Sequence, residues 1–329
     1  MSQQQGSNSR LLYQTEVTYK QVPSNQDAMV LPFVSESLRS SRNLISSNTI
    51  RSSRNPVAPV RGNVDVSGDI SFELAPQYGK ILHHAFGTYT AVSGESVGMV
   101  AGTYKHTFKV GVLPVGLIIE KQFTDIDTAK YFQYSGCKIN SLKVSVKPEG
   151  MIECSVAIIG AKETEAASSF DSSPVDLGHD PFDGFEAVIT EGGASLGIAT
   201  EIDFTLENNL DGNSYVIDGT GTRHSLPAGT AKVTGTVKVL FENTTLYDKA
   251  VASTESSLVI ALTHGTGDGT SGNEKLTFTI PELKFTPNAP VISGPSGVLV
   301  ELPFEAYYDD SSEATAIQAD LLSTTAYYG

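Results

Sequence analysis

The sequence predicts a mainly β protein, on three observations. Apolar residues recur with a period of two along most segments, turn-forming residues fall between those segments, and few stretches carry helical spacing. Pro76 to Phe86 is the first helical candidate, because proline suits a first turn and Tyr78, Ile81, Leu82 and Phe86 lie near helical spacing. Leu142, Val144 and Val146 then alternate with Lys143, Ser145 and Lys147. Pro148-Glu149-Gly150 separates strand 138–147 from strand 152–159, the signature of a hairpin. Pairing about Glu149 sets opposite each other residues whose numbers sum to about 298. Cys137 and Cys154 miss that register, so both are expected as buried thiols, not as a disulfide.

Ile202, Phe204 and Leu206 alternate with Asp203, Thr205 and Glu207, and Val237, Val239 and Phe241 with Thr236, Lys238 and Leu240. Leu246 to Ala252 is a second helical candidate. The run from Gly265 to Gly272 is too rich in glycine for a regular element and reads as a flexible loop before the strand of Leu276, Phe278 and Ile280. Pro287, Asn288 and Pro290 break the chain before a last strand with Val300, Leu302, Phe304, Ala306 and Tyr308 on one face. Glu313 to Leu322 is the third helical candidate. One-sided alternation of this kind describes antiparallel sheet with one face on a core and one face polar.

At 329 residues the chain suggests roughly two domains of about 150 residues each. Asp and Glu number 37 against 22 Lys and Arg, a formal net charge of −15, which argues against general nucleic-acid binding. No run of about 18 apolar residues is present, so no membrane-spanning helix is expected. Met1-Ser-Gln-Gln-Gln5 lacks the basic-then-apolar layout of a secretory leader. The charge is unevenly spread: residues 1–62 balance to +4, residues 63–162 to zero and residues 163–329 to −19. A basic front and an acidic back can attract each other between copies; a solvated surface is the alternative.

A likeness also runs through the chain at an offset of 167 residues. Val66-Ser-Gly-Asp-Ile-Ser-Phe-Glu-Leu74 matches Val233-Thr-Gly-Thr-Val-Lys-Val-Leu-Phe241 in pattern, each with an internal glycine. Each is followed by a short helical candidate, then by a strand around His106-Thr-Phe108 or Leu276-Thr-Phe278, then by a hairpin-like pair, 138–159 or 283–308. Like order of four elements suggests a duplicated β domain. The expected division is a basic arm with the first strands at 1–62, part of domain one, and its core at 63–163. A linker or insertion at 164–182, a second β domain at 183–312 and a C-terminal tail at 313–329 follow.

Chemical motifs are sparse. Gly193-Ala-Ser195-Leu-Gly197 fits the nucleophile-elbow string, but alternating β residues follow it where a helix is required, so its glycines read as a turn. His83, His84, His106, His179, His224 and His264 show no metal-ligand spacing; a site assembled only in three dimensions stays open. Asp125-Ile-Asp127 and Asp309-Asp310 lack a calcium loop. No enzyme, cofactor or metal is expected. Arg39-Ser-Ser-Arg42-Asn43 recurs as Arg51-Ser-Ser-Arg54-Asn55, without interleaved aromatics. With Arg61, these arginines are expected to seek carboxylates of a neighbouring subunit, where a guanidinium fork gives bidentate geometry; an exposed loop with incidental charge is the alternative.

Several stretches resemble the tail tube, or major tail, proteins of long-tailed double-stranded DNA bacteriophages, in their longer, duplicated-domain subgroup. They are Leu31-Pro-Phe-Val-Ser-Glu-Ser-Leu38, Tyr131-Phe-Gln-Tyr134, Gly136 through Gly150, Gly160-Ala-Lys-Glu163 and Phe204-Thr-Leu-Glu-Asn-Asn-Leu-Asp211. The resemblance runs from about residue 10 to about 312 and rests on sequence texture. It implies two tandem β-sandwich or partial-barrel domains, each with a short flanking helix. It further implies a structural virion protein, assembled in the host bacterial cytoplasm, whose rings stack into the conduit for DNA ejection. DNA would pass the lumen without specific binding, and other tail proteins would meet the tube ends. A tandem pair could tile a pseudo-sixfold ring as a cyclic trimer; a hexamer is the alternative. Loops 87–105 and 164–182, with the basic front, are the expected inter-ring contacts. Another self-assembling component, such as an Hcp-like ring or a capsid decoration protein, is the competing reading, and a secreted carbohydrate-binding module a third.

Overall fold

The computed structural model describes residues 3–292 and 294–328. In chain order the first half holds β1 (Arg10–Thr15), β2 (Met29–Val30), β3 (Ser35–Glu36), β4 (Arg39–Ile45), β5 (Val60–Glu73), α1 (Gly79–Phe86), β6 (Gly87–Ser93), β7 (Tyr104–Val110), β8 (Leu117–Phe123), β9 (Lys130–Val146), β10 (Glu153–Gly160) and β11 (Lys162–Ala166). The second holds β12 (Val188–Glu191), β13 (Ala194–Ser195), β14 (Ala199–Glu207), β15 (Lys232–Leu240), α2 (Thr245–Val251), β16 (Ser256–Thr263), β17 (Lys275–Phe285), β18 (Leu299–Ala306) and β19 (Gln318–Ser323). The protein is mainly β, and every strand ladder is antiparallel among the described residues.

Two large layers form. The first runs β4-β5-β10-β9-β14-β15-β18. The second runs β12-β16-β17-β19-β7-β6. They join through Leu283–Phe285 of β17, which pair with Phe304–Ala306 of β18. Pro281 sits between Ile280 and Leu283, where the β16 ladder shifts register; proline without an N–H fits such an irregularity. Inward residues of both layers make one core, with Phe204 of β14 and Phe278 of β17 in edge contact at 4.9 Å.

β9 belongs to more than one surface. Its first part pairs with β8 and β11, and its last part with β10 and β14. Gly136 lies where it turns, at φ 65°, and a Cβ there would stand 2.9 Å from Ala161 and Lys20 side chains. Gly235 of β15 serves packing instead: a Cβ there would lie 2.5 Å from the Phe304 ring, so its absence lets that ring cover the strand.

The hairpin register holds, since Cys154 faces Val144 and Glu153 faces Ser145. Cys137 and Cys154 are free and buried. The first helical candidate is a 3-10 turn, Pro76–Tyr78, running into α1, which buries Ile81, Leu82, Ala85 and Phe86. α2 answers the second.

Two expectations are corrected. Glu313 to Leu322 is not a helix, because Gln318–Ser323 forms β19. Helix-forming residues are overridden there by two open strand edges: β19 pairs with β7 on one side and β17 on the other, burying Ile317, Ala319 and Leu321. Residues 87–105 are not one long loop, because Gly87–Ser93 forms β6, paired along its length with β7. β6 lies at an edge and is mostly exposed, so it shows no apolar alternation. The stretch 164–182 opens in β11 and holds buried Asp171 and Phe182; the Phe182 amide donates to the Leu74 carbonyl at 2.8 Å.

Candidate assembly surfaces

The period of two in the first layer settles which side chains face out. Phe72, Cys154, Val144 and Phe204 point into the core, and their neighbours form straight rows on the other side. One row crosses six strands as Glu73, Glu153, Ser145, Asp203, Thr236 and Pro303. The next runs Ser71, Ser155, Lys143, Thr205, Thr234 and Glu305. The face carries Asp69, Glu73, Glu153, Glu201, Asp203, Glu207, Glu301 and Glu305 against Lys143, Lys147, Lys232 and Lys238, which leaves it negative. Neither row contains an aromatic ring on which a base could stack.

Short ion pairs hold the lysines among the acids: Lys238 Nζ lies 2.8 Å from Glu201, and Lys147 Nζ lies 3.4 Å from Glu153. The hydrogen bond from Lys238 lowers the Glu201 carboxyl below its usual range. Partial burial, and then the charges of Glu201 and Glu301, raise Asp203, with Lys143 and Lys238 opposing. An open groove of about 640 Å³ crosses this face beside Ser71, Glu73, Lys143, Ser145 and Glu153. The surface is hydrophilic and acidic.

The second surface is a two-stranded ribbon. Val60–Asp65 of β5 pair with β4 but lie beyond the reach of β10, which begins its pairing at Val66. β4, the connection 46–59 and the start of β5 therefore project from the layer, and residues 41–61 are exposed without interruption. Arg39 and Arg42 lie on β4, Arg61 on β5, and Arg51 and Arg54 in the connection. The ribbon thus carries Arg42, Arg51, Arg54 and Arg61, while Arg39 lies at its base, opposite Ser67, where β5 is already paired with β10. Arg42 Nη2 donates to the Thr220 carbonyl at 3.2 Å, and Arg51 Nη2 to the Asn55 carbonyl at 2.9 Å. Among the described residues none of the five pairs with a carboxylate of its own chain. Leu44, Ile45 and Ile50 stand exposed beside them, Ile50 at 98 %. The arm thus presents apolar side chains and cations side by side to solvent.

Arg223 was not singled out by sequence reasoning, yet it braces the ribbon. Its side chain is 7 % exposed and pairs with Asp65. Nη1 donates to the carbonyls of Val66 at 3.1 Å and Gly160 at 2.6 Å, and Nε to that of Gly212 at 2.6 Å. Tyr215 Oη adds a bond to the Val64 carbonyl at 2.9 Å. A lone arginine in an acidic half was the available signal, without a local pattern to give it meaning.

Ser195 is exposed on the two-residue strand β13, after a turn made by Gly192 at φ 57° and Gly193 at φ 81°. Asp125 is taken up by Asn8, whose Nδ2 donates to it at 2.9 Å. The backbone amides of Asp309 and Asp310 donate to Glu282 at 2.9 and 3.1 Å. No helix among the described residues is long and apolar enough to cross a membrane.

The sequence profile of a family described as phage tail tube protein matches residues 6–306. No curated protein matches the chain at a significant level. The match spans the first layer, the ribbon, the polar face and the second layer apart from β19. The chain belongs to the phage tail tube protein family, and its role is that of a structural protein of the virion tail.

Proposed function

We propose that three copies of this chain close into a ring, and that rings stack into a tube whose bore is lined by the polar face of the first layer. The observation that carries this reading is the face itself, which crosses six strands from both halves without a break. The layer ends in β4 on one side and in β18 on the other, where β17 covers only Phe304–Ala306, and neighbouring copies would continue the sheet across the free parts of those edges. At about 4.8 Å per strand, seven strands span about 34 Å. Three copies then close at a diameter of about 32 Å before tilt, and six at about 64 Å. The smaller bore, less its side chains, suits a single duplex. Its negative lining keeps phosphates from adhering, over a screening distance of about 8 Å.

Two like domains, 1–163 and 183–312 with 164–182 between them, account for threefold closure with sixfold appearance. The pairings support the duplication. β4 and β14 precede and pair with β5 and β15. Those strands lead to α1 and α2, and hairpins β6–β7 and β16–β17 follow. β5 then pairs with β10, as β15 does with β18. β19 lies between the matching strands, with Ala319 opposite both Phe108 and Phe278.

The ribbon bearing Arg42, Arg51, Arg54 and Arg61, with Arg39 at its base, would reach the acidic half of a neighbouring subunit in the next ring. Other tail proteins would meet the last rings, and duplex DNA would pass without specific binding on its way to the host. Two unlinked thiols suit assembly in the reducing host cytoplasm. Rotationally averaged electron micrographs of the purified protein test the reading. Tubes with three chains per ring are expected; six chains per ring, or a monomer at every concentration, would overturn it.

A further inference from the structure

Asp180, His264 and Glu274 converge at the open end of the β16–β17 hairpin, their ligand atoms all within 4.8 Å of one another. His264 and Glu274 flank the connecting loop and are a cross-strand pair, the His264 amide donating to the Glu274 carbonyl at 2.8 Å. Asp180 arrives from the connector between the two halves. Its neighbour Phe182 is fully buried and stacks on the His264 ring at 4.4 Å, which sets the ring plane.

The imidazole's hydrogen bonding shows which nitrogen is free. Nε2 lies 3.2 Å from the Pro181 carbonyl, which can only accept, so Nε2 carries the hydrogen. Nδ1 then presents a lone pair 3.6 Å from Glu274 Oε2 and 4.0 Å from Asp180 Oδ2. His264 Nδ1 and Glu274 Oε2 are both buried and lack a hydrogen-bond partner. Acceptors facing one another out of water are costly unless a cation lies between them. A shared proton would draw the pair to about 2.8 Å. Tetrahedral ligands on a zinc-sized ion, at about 2.1 Å from the metal, stand about 3.4 Å apart. The observed spacing is nearer the second. A histidine that donates its other N–H to a backbone carbonyl is also the usual outer support of a metal ligand.

We propose that His264 Nδ1, Glu274 and Asp180 bind one divalent transition-metal ion of the zinc class, with the remaining coordination position open to water. Asp180, 68 % exposed, forms the solvent side through which the ion enters. An imidazole with two carboxylates favours zinc, cobalt or nickel over magnesium, which prefers an all-oxygen shell. The bound ion ties the connector to the β16–β17 loop. This assignment is independent of how many chains close a ring.

Untagged full-length protein, stripped with chelator and dialysed against zinc chloride, is measured by elemental analysis. One zinc per chain is expected, kept in His224→Ala, whose histidine is exposed elsewhere, and kept in excess magnesium. His264→Ala and Glu274→Gln should lose it. Asp180→Asn alters an exposed side chain that the fold does not need, and should weaken binding about tenfold or more. Substoichiometric zinc in the parent chain, full zinc in His264→Ala, unweakened binding in Asp180→Asn, or displacement by magnesium would each overturn the assignment.

Discussion

Replacing His106 by glutamine should change how stability depends on pH. His106 lies on β7 with no exposed surface. Nε2 stands 2.8 Å from the Thr325 carbonyl and so carries the hydrogen, while Nδ1 accepts from Tyr89 Oη at 3.0 Å. The Tyr328 ring closes over it at 4.7 Å. Burial pushes the imidazole down from 6.5 to about 4. Between these values the unfolded chain takes up a proton that the folded chain refuses, so stability present above pH 6.5 is lost as pH falls toward 4. At about 1.36 kcal/mol per pH unit, the loss from this group is roughly 3 kcal/mol. Glutamine can donate to Thr325 and accept from Tyr89 without titrating. Urea unfolding of the unassembled subunit, run from pH 7.5 to 4.5 for both proteins, isolates the term because all other groups cancel in the difference. His84, whose pKa burial also lowers, remains in both. Parallel pH curves for parent and variant would refute the reasoning.

Glu16 has the opposite sign. Burial raises its carboxyl to about 7 against amide bonds from Gly136 and Lys20, so the fold weakens as pH rises from 4.5 to 7, by roughly 3 kcal/mol. Glu16→Gln should abolish that decline in the same urea series, so that the variant loses stability toward low pH more steeply than the parent. Arg51→Glu with Arg54→Glu should stop tube growth while moving subunit stability by less than about 0.5 kcal/mol, since both sites are exposed; an undiminished tube yield in negative stain counts against the ribbon as a contact. Arg223→Met removes three bonds to carbonyls, two of them buried, and should cost about 3 kcal/mol, read as a lower urea midpoint with unchanged slope. A midpoint equal to the parent's would deny Arg223 its bracing role.

Legibility followed burial. β18 buries every second residue, and β14, β15 and β17 do so over most of their length, so their faces were written into the alternation. The β9–β10 register followed from its turn alone, because a tight hairpin fixes pairing by chain length. β6 escaped notice because an exposed edge strand has no pattern to show. β19 was read as a helix because its partners β7 and β17 lie far away in the chain, and propensity carries no information about a slot waiting elsewhere. Four of the five arginines were visible as a repeated string, but the gathering of Arg42, Arg51, Arg54 and Arg61 on one ribbon depends on β4 outrunning the layer, which only the fold reveals. The orientation of the polar face likewise required knowing which residues meet the core.

The position of β19 also orders events in time. A nascent polypeptide emerging from the ribosome exposes β7 and β17 well before the segment that fits between them has been synthesised. Until then the subunit carries two bare edges and lacks Tyr328, whose hydroxyl donates to the Pro76 carbonyl at 3.0 Å. A polypeptide that stops short of residue 318 therefore leaves the second layer divided between β7 and β17, with the edges that β19 would join still open.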